Sequence, residues 1–279
     1  MSHTPEARGY CRLVGTPIGN LSDFTPRGLS AIREADIIFA EDTRTAKALL
    51  HHFEISKPIE SYHKDNEQTA VYSVLSQIKA GKRVALISEA GMPCVSDPGF
   101  LLVRTLMEQG IPFEVVSGVS AAVHASAASG LCESGQYLFA GFLPHKGAER
   151  ALERFISIPF PIVFYESPYR VKDTVELLLK HFPAPIAVCR ELTKLHEEIV
   201  WVHSMEEFDK VTIRGEFCLV VNNSKATEAA HTTAIDAEKI AKILIDSDVP
   251  NKTIVETLKA IGVKRNEAYE IVERIKISC

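Results

Sequence analysis

The chain has 279 residues, of which 46% are apolar and 24% charged, and 31 basic against 36 acidic residues give it a net charge of −5. This composition is typical of globular proteins and excludes collagen, coiled coil and wholesale disorder. The negative balance argues against a protein that coats nucleic acid through a uniformly positive surface, but it leaves room for a local basic groove. Six cysteines without a C-x-x-C pair indicate reduced packing residues. The chain opens without an apolar segment and has no run of about 20 apolar residues, so we expect a cytoplasmic protein with no membrane contact.

The first half of the chain predicts an α/β sheet, because short aliphatic runs alternate with segments of helical periodicity. The predicted strands are Tyr10–Val14, Asp36–Ala40, Arg83–Ser88 and Pro112–Val116. The predicted helices are Pro26–Ala35, Thr43–Phe53, Glu67–Ala80 and Leu101–Gln109, followed by a helix of small residues up to Gly130. This alternation predicts a mostly parallel sheet with its ligand site at the carboxyl ends of the strands.

A second α/β domain is predicted after a hinge at Gly130–Gly135. Its predicted strands are Tyr137–Gly141, Ile162–Tyr165, Ile186–Arg190, Ile199–His203 and Phe217–Val221, with helices at Ala148–Ile156 and Tyr169–His181. The predicted domains are therefore residues 1–130 and residues 131–222, followed by a polar linker at 223–233 and a helical tail at 234–279.

The tail predicts three helices, Ala234–Ile245, Lys252–Ala260 and Arg265–Ile275. A glycine-containing turn joins the last two, which is the outline of a helix-turn-helix. The tail is not basic as a whole, so a small packing module and a nucleic-acid contact both fit it.

Loops rich in glycine, proline and acidic residues follow the predicted strands and are candidates for a ligand site. They are GTPIGNL (15–21), AEDTR (40–44), SEAGMPCVSDPG (88–99), SGVSA (117–121), GFLP (141–144), FYESPYR (164–170) and RELTK (190–194). In the 15–21 loop, two glycines and a proline would fix a turn and let a ligand approach the backbone. The 88–99 loop costs conformational entropy without building a core, which favours a functional role. Taken singly, each loop could also be an ordinary turn, a helix cap or a surface ion pair.

The order of these seven loops resembles the ribosomal RNA small-subunit methyltransferase I family, within the tetrapyrrole-methylase (class III) superfamily of S-adenosylmethionine-dependent methyltransferases. The resemblance spans residues 10–222, and the tail resembles the family's C-terminal helical module. It implies a two-domain tetrapyrrole-methylase-like α/β fold, with a mostly parallel N-terminal sheet and a mixed second sheet, in a homodimer. It also implies S-adenosylmethionine as cofactor, no metal, and 2′-O-methylation of a cytidine ribose in small-subunit (16S) ribosomal RNA.

The resemblance further implies which residues hold the cofactor. They are Pro17, Gly19, Ala90, Gly91, Met92, Val95, Ser120 and Ala121 from the first domain, with Glu166 and Leu192 from the second. The chain departs from the family at Glu89, where the family has aspartate, and at Val119, where it has proline. Contacts made through backbone should survive these changes, whereas a contact made by the side chain at position 89 would change.

Methyl transfer to a ribose hydroxyl is helped by removal of its proton, by about 10²–10⁴-fold. The candidate catalytic residues at strand ends are Lys194, Glu191 and Glu166, with Asp42 as a further possibility. Lys194 or Glu191 is favoured as the proton acceptor. A lysine in this role would need its pKa lowered by burial or by nearby positive charge.

Candidate RNA contacts are the cations at strand ends and on one predicted helix face. Arg44 and Arg170 follow strands, and Lys146 and Arg150 are predicted to share a helix face that also carries Arg154. A solvated helix surface is the alternative for the latter group. Arg190 is a further candidate for a phosphate contact.

Two other functions stay open. A small-molecule methyltransferase of the same fold would act on a tetrapyrrole macrocycle and not on RNA. A catalytically inactive RNA-binding or assembly protein, suggested by the departures at Glu89 and Val119, would not bind the cofactor.

Overall fold

A computed structural model describes residues 9–223, 237–247, 249–261 and 263–278. These residues form two compact units. One contains both β-sheets and the helices around them, and the other contains residues 154–159 with the described residues after 236. The predicted linker at 223–233 lies, apart from Asn223, outside the described residues.

The first sheet is entirely parallel, as the alternation of strands and helices predicts. Its strands are β1 (Tyr10–Val14), β2 (Ile37–Ala40), β3 (Ile59–Ser61), β4 (Arg83–Ile87) and β5 (Phe113–Val116), in the order β3–β2–β4–β1–β5. The sequence did not predict β3, because three residues with a single apolar side chain give no periodicity.

Helices cover both faces of this sheet. They are α1 (Pro26–Glu34), α2 (Thr43–His52), α3 (Glu67–Lys79), α4 (Phe100–Glu108) and α5 (Ala121–Ser129). Side chains alternate along each strand, so that Leu86 packs with α3 and α4 while Ile87 packs with α1 and α2. The adjacent strands β1 and β4 therefore continue into helices on opposite faces, which leaves a crevice at their carboxyl ends.

The second sheet is mixed, as expected. Its strands are β6 (Leu138–Phe142), β7 (Ile162–Glu166), β8 (Ile186–Arg190), β9 (Glu198–Val202) and β10 (Phe217–Val221), in the order β6–β7–β10–β8–β9. Strand β6 runs parallel to β7, and the remaining pairs are antiparallel. Helices α6 (Ala148–Ile156), α7 (Val171–His181) and the short α8 (Met205–Phe208) accompany it.

Helix α5 connects the two sheets. It follows β5 of the first sheet, and its Ala122 and Ala125 are buried against Val163, Ala187 and Val220 of the second. The small side chains of α5 allow the helix to pack closely on the second sheet. As a result, the loop that precedes α5 lies between the sheets.

The described part of the tail is a separate three-helix unit. It consists of α9 (Ala237–Asp246), α10 (Asn251–Ala260) and α11 (Arg265–Ser278), which pack through Ala241, Ile254 and Val272. Among the described residues, no helix combines the length and the apolar character needed to cross a bilayer.

Candidate functional site

The loops that follow β1, β4 and β5 interlock at the carboxyl edge of the first sheet. Thr16 and Gly91 exchange backbone hydrogen bonds, at 2.8 Å from Thr16 N to Gly91 O and 3.2 Å from Gly91 N to Thr16 O. The Ser88 hydroxyl donates to the same Gly91 carbonyl at 3.0 Å. The backbone N–H of Gly118 donates to Met92 Sδ at 3.1 Å. The three loops are therefore held to one another by bonds between backbone atoms and by the Met92 side chain.

Gly15 and Gly118 are required by this close approach. A Cβ on Gly118 would lie 2.7 Å from Gly15 Cα, and one on Gly15 would lie 2.6 Å from Gly118 Cα. A Cβ on Gly19 would lie 2.3 Å from Cγ of Lys194. The expectation that the glycines of the 15–21 loop leave room for a ligand is therefore wrong for both positions, because protein atoms fill that space.

A cavity of about 440 Å³ lies between the carboxyl edge of the first sheet and the second sheet. Its volume falls in the range of about 300–1,000 Å³ that is usual for small-molecule sites. The wall is formed by Ile18, Glu89, Ala90, Gly91, Met92, Val95, Ser96, Asp97, Ser120, Ala121, Phe142, Tyr165, Glu166, Ser167, Pro168, Glu216, Phe217 and Cys218.

The structure brings most of the predicted cofactor residues to this cavity. Those on its wall are Ala90, Gly91, Met92, Val95, Ser120, Ala121 and Glu166. Pro17 is buried next to Ile18, Gly19 packs on the aliphatic part of Lys194, and Leu192 is buried in the core that α5 shares with the second sheet. These three are not part of the cavity wall.

The wall also contains residues from the start of β10 that the sequence did not indicate. Glu216, Phe217 and Cys218 lie at the amino end of this strand. Because β10 is antiparallel to β7 and β8, its first residue, Phe217, pairs with Glu166 at the carboxyl end of β7 and with Arg190 at the carboxyl end of β8. The sequence analysis considered only loops that follow predicted strands, so it missed residues at the beginning of a strand.

The Glu166 carboxylate is only 3% exposed and is engaged inside the protein. It accepts hydrogen bonds from Ser167 N and from Thr174 Oγ1, both at 2.8 Å, and pairs with the Arg170 guanidinium at 3.2 Å. Arg170 also donates to the Leu143 carbonyl at 2.9 Å. The Glu166 carboxylate is therefore occupied by contacts at the end of β7, and the Arg170 guanidinium is committed to internal contacts rather than to a phosphate.

Lys194 and Glu191 form an ion-paired group with Glu216. Lys194 Nζ lies 2.9 Å from Glu191 and 2.7 Å from Glu216. Burial lowers the pKa of Lys194, but hydrogen bonds to Glu216 and Glu191 outweigh burial, so that the pKa is raised. Burial raises the pKa of Glu191, but its bonds with Lys194 and the Glu216 N–H outweigh this, so that the pKa is lowered. A lysine that acts as a base requires a lowered pKa, whereas the pKa of Lys194 is raised, so the prediction of Lys194 as proton acceptor is not supported.

The cations proposed for RNA contacts differ in their availability. Arg44 has a side chain that is 90% exposed, and it pairs with Asp42 at 2.9 Å. Hydrogen bonds from Arg44 lower the pKa of Asp42 to about 2, which leaves Asp42 ionised but firmly paired. Arg190, by contrast, is buried and pairs with Glu198 at 2.9 Å.

Lys146 and Arg150 are both exposed. The prediction that they share a helix face is wrong, because α6 begins at Ala148 and Lys146 lies in the preceding loop. Arg150 lies within the helix.

The sequence did not single out Asp97, although it lies within the 88–99 loop. Burial and repulsion by Glu41 and Glu89 raise the pKa of Asp97 to about 7, and a hydrogen bond with Ser88 opposes this shift. Glu41 directly follows β2 and Glu89 follows β4, and these strands are neighbours in the sheet. Such a pKa on the wall of a cavity is typical of groups that exchange protons at neutral pH.

The chain is similar in sequence to a family of methylases and to individual methyltransferases. Residues 11–209 match the family of tetrapyrrole (corrin/porphyrin) methylases. The chain is 42% identical over 226 residues to ribosomal RNA small subunit methyltransferase I of Halalkalibacterium halodurans, covering 78% of this chain and 77% of that one. It is 35% identical over 273 residues to the protein of the same name from Bacillus subtilis, covering 89% and 93%.

A solved structure shares the fold. Uroporphyrin-III C-methyl transferase from Thermus thermophilus, complexed with S-adenyl homocysteine, is 20% identical with a TM-score of 0.56. The similarity covers 77% of this chain and 98% of that one. At this identity the likeness concerns the fold alone.

Proposed function

The chain belongs to the tetrapyrrole (corrin/porphyrin) methylase family and groups with the ribosomal RNA small subunit methyltransferase I proteins, and from this premise we propose that it is an S-adenosylmethionine-dependent methyltransferase of small-subunit ribosomal RNA. Its proposed reaction is 2′-O-methylation of a cytidine ribose. The observation that carries the proposal is the cavity at the carboxyl edge of the first sheet, in a chain 35–42% identical to these relatives.

The residues around the cavity fit S-adenosylmethionine. Apolar side chains of Ile18, Met92 and Val95 offer a surface for an adenine ring, and Glu89 offers negative charge to a cationic ligand. The cofactor, when bound, supplies a methyl group on a positively charged sulfur. Backbone atoms of the interlocked loops hold the wall rigid, which suits an in-line transfer that depends on alignment and exclusion of water.

The proposed cofactor contacts are Ala90, Gly91, Met92, Val95, Ser120, Ala121 and Glu166, with Pro17, Gly19 and Leu192 supporting the wall from behind. We also propose that residues 1–130 and residues 131–222 act as two domains around the cofactor, with residues 234–279 as a helical module. Glu191 and Lys194 then act as a charged pair that holds the loop after β8 in place.

An RNA acceptor is supported by exposed cations of this chain. Arg44, Lys146 and Arg150 carry positive charge at the surface. A nucleotide whose ribose enters a cavity of this size must be splayed out of its helix, as is usual in sequence-specific RNA recognition and in enzymes that modify nucleotides.

A homodimer is the proposed assembly. Large apolar side chains are exposed on one face of α4, where Phe100 is 71% and Met107 67% exposed, and Tyr72 is exposed on the adjacent α3. Such groups on a globular protein favour a covered surface. Sedimentation analysis tests this, and a monomer at micromolar concentration would overturn it.

The function is tested by transfer of labelled methyl from S-adenosylmethionine to purified small ribosomal subunits that lack ribose methylation, followed by nucleoside mass spectrometry. The expected product is 2′-O-methylcytidine. A matched pair of variants on one helix links transfer to the cavity. Ala121→Leu adds bulk to the wall and should abolish transfer, whereas Val123→Leu, at an exposed position of α5, should leave it unchanged.

The alternatives give different results in the same assay. Cofactor binding without transfer to RNA, but with transfer to a tetrapyrrole, would indicate a small-molecule methyltransferase. No cofactor binding by calorimetry would indicate an inactive RNA-binding or assembly protein.

A further inference from the structure

The cavity wall carries several ionisable groups, and most of them are engaged. Glu166 is bound by three donors, and Glu216 pairs with Lys194. Burial raises the pKa of Tyr165 to about 12, and its hydroxyl accepts a hydrogen bond from Ala122 N at 3.1 Å. Burial likewise raises the pKa of the Cys218 thiol. Among the described residues of the wall, this leaves the carboxylates Glu89 and Asp97.

We propose that Asp97, on the cavity wall, is the catalytic residue that accepts the proton of the acceptor hydroxyl, and that Glu41 and Glu89, which follow the neighbouring strands β2 and β4, are positioning residues for it. The proposal rests on the proposed methyl transfer and adds a role that Lys194 and Glu191 do not fill. Asp97 is partly buried on the cavity wall, whereas Glu89 is exposed and lies 3.5 Å from the Thr45 hydroxyl. Of the two carboxylates Glu89 and Asp97, Asp97 is therefore the less exposed.

The proton affinity of Asp97 depends on its own burial and on charged and polar groups that follow strands β2 and β4. Burial makes the largest contribution, then the charge of Glu41 at the end of β2, while Ser88 opposes them and Glu89 adds to them. Tyr165 of β7 and Cys94 of the same loop also face Asp97, and both are neutral at pH 7 because burial raises their pKa values. Glu41 itself has a raised pKa through burial and Glu89, opposed by His63. The charge that acts on Asp97 is thus mainly that of two neighbouring carboxylates.

Methyl transfer to the acceptor hydroxyl breaks two bonds and forms two. The O–H bond of the acceptor breaks and its proton passes to a carboxylate oxygen of Asp97. A bond forms between that oxygen of the acceptor and the methyl carbon, and the electron pair of the sulfur–methyl bond stays on sulfur, which becomes neutral. The positive charge leaves with the proton, which Asp97 releases to solvent.

A cationic ligand in the cavity should lower the pKa of Asp97, because an opposite charge favours the carboxylate. Binding of S-adenosylmethionine at pH 7 is then expected to release up to about half a proton, because Asp97 is about half protonated there before binding, and binding of the uncharged-sulfur product analogue S-adenosylhomocysteine should release less. Calorimetry in two buffers of different ionisation enthalpy measures this without turnover. Asp97→Asn should remove the difference in proton release between the two ligands.

The second experiment measures the rate of single-turnover methyl transfer as a function of pH. In the cofactor complex the wild type should lose activity with a midpoint below about pH 7, because the bound cation lowers the pKa of Asp97 from its value in the free protein. Asp97→Asn should lose about 10²–10⁴-fold in rate while its affinity for S-adenosylmethionine changes only a few-fold. Glu41→Gln removes a like charge from the neighbourhood of Asp97, so its acid limb should move to lower pH. A change of Glu206→Gln, at an exposed position away from the cavity wall, should leave the midpoint of the limb in place.

The outcomes separate the two proposals. If the wild type binds the cofactor and transfers methyl, but Asp97→Asn keeps the wild-type rate or Glu41→Gln leaves the acid limb unmoved, the role of Asp97 is refuted while the proposed function stands. If the wild type neither binds the cofactor nor transfers methyl, both are refuted. Loss of rate in Asp97→Asn together with loss of cofactor affinity would assign Asp97 to binding and also refute its role as proton acceptor.

Discussion

Replacing Asp97 by Asn should change the pH dependence of folding stability in a direction fixed by the burial of this side chain. The pKa of Asp97 is raised from 3.8 to about 7, first by burial and then by Glu41. Between these values the folded protein holds a proton that the unfolded chain has released. The wild type therefore has this stabilisation in full below about pH 4 and loses it as the pH rises through 7. About three pKa units at about 1.36 kcal/mol each set an upper limit of about 4 kcal/mol, which solvent screening of this partly exposed side chain reduces.

The measurement is the free energy of unfolding of wild type and Asp97→Asn, by denaturant titration between pH 4.5 and pH 8.5. Their difference cancels the titration of the groups that do not interact with Asp97, and it retains the titration of Asp97 together with its neighbours Glu41 and Glu89. It should shift by up to about 4 kcal/mol in favour of the variant as the pH rises, since Asn carries no charge that must be buried. Glu108→Gln on the exposed face of α4 serves as the control and should stay within about 0.5 kcal/mol at every pH. A difference for Asp97→Asn that is flat with pH, or of opposite slope, would refute the reasoning.

Three further predictions follow from other contacts. Gly118→Ala should destabilise the protein by about 1–3 kcal/mol and weaken cofactor binding, because its Cβ would lie 2.7 Å from Gly15 Cα; unchanged denaturation and calorimetry would contradict this. Asp36→Asn should cost about 1 kcal/mol at pH 7 after allowance for solvent screening, since Asp36 accepts three hydrogen bonds from Arg83. These bonds lower the pKa of Asp36 to about 2, so the cost should vanish as the pH falls from about 4 towards 2, and a difference independent of pH would argue against the pairing. Arg44→Ala should weaken binding to small ribosomal subunits and reduce the salt dependence by about one ion, with cofactor affinity unchanged, and an unaltered salt slope would exclude Arg44 from the RNA contact.

Much of the fold was predictable from the sequence, because it depends on local periodicity. Alternating aliphatic runs and amphipathic segments located the elements of both sheets other than β3 and α8, with ends within one or two residues. The helix start at Pro26 was readable because Thr25 caps it and proline fits the first helical position. Parallel strands buried on both faces place their following loops at one edge, so the 88–99 loop and Ser120 were predictable as site residues.

What depended on tertiary structure was the chemistry between residues far apart in the chain. Strand β2 lies beside β4 although β3 separates them in sequence, and this neighbourhood places Glu41 near Asp97, where its charge adds to the effect of burial in raising the pKa of Asp97. The antiparallel direction of β10 brings Glu216 to Lys194, so that the lysine is held protonated. A sequence shows which side chains can ionise, but their charge states depend on burial and on neighbours that only the folded chain brings together.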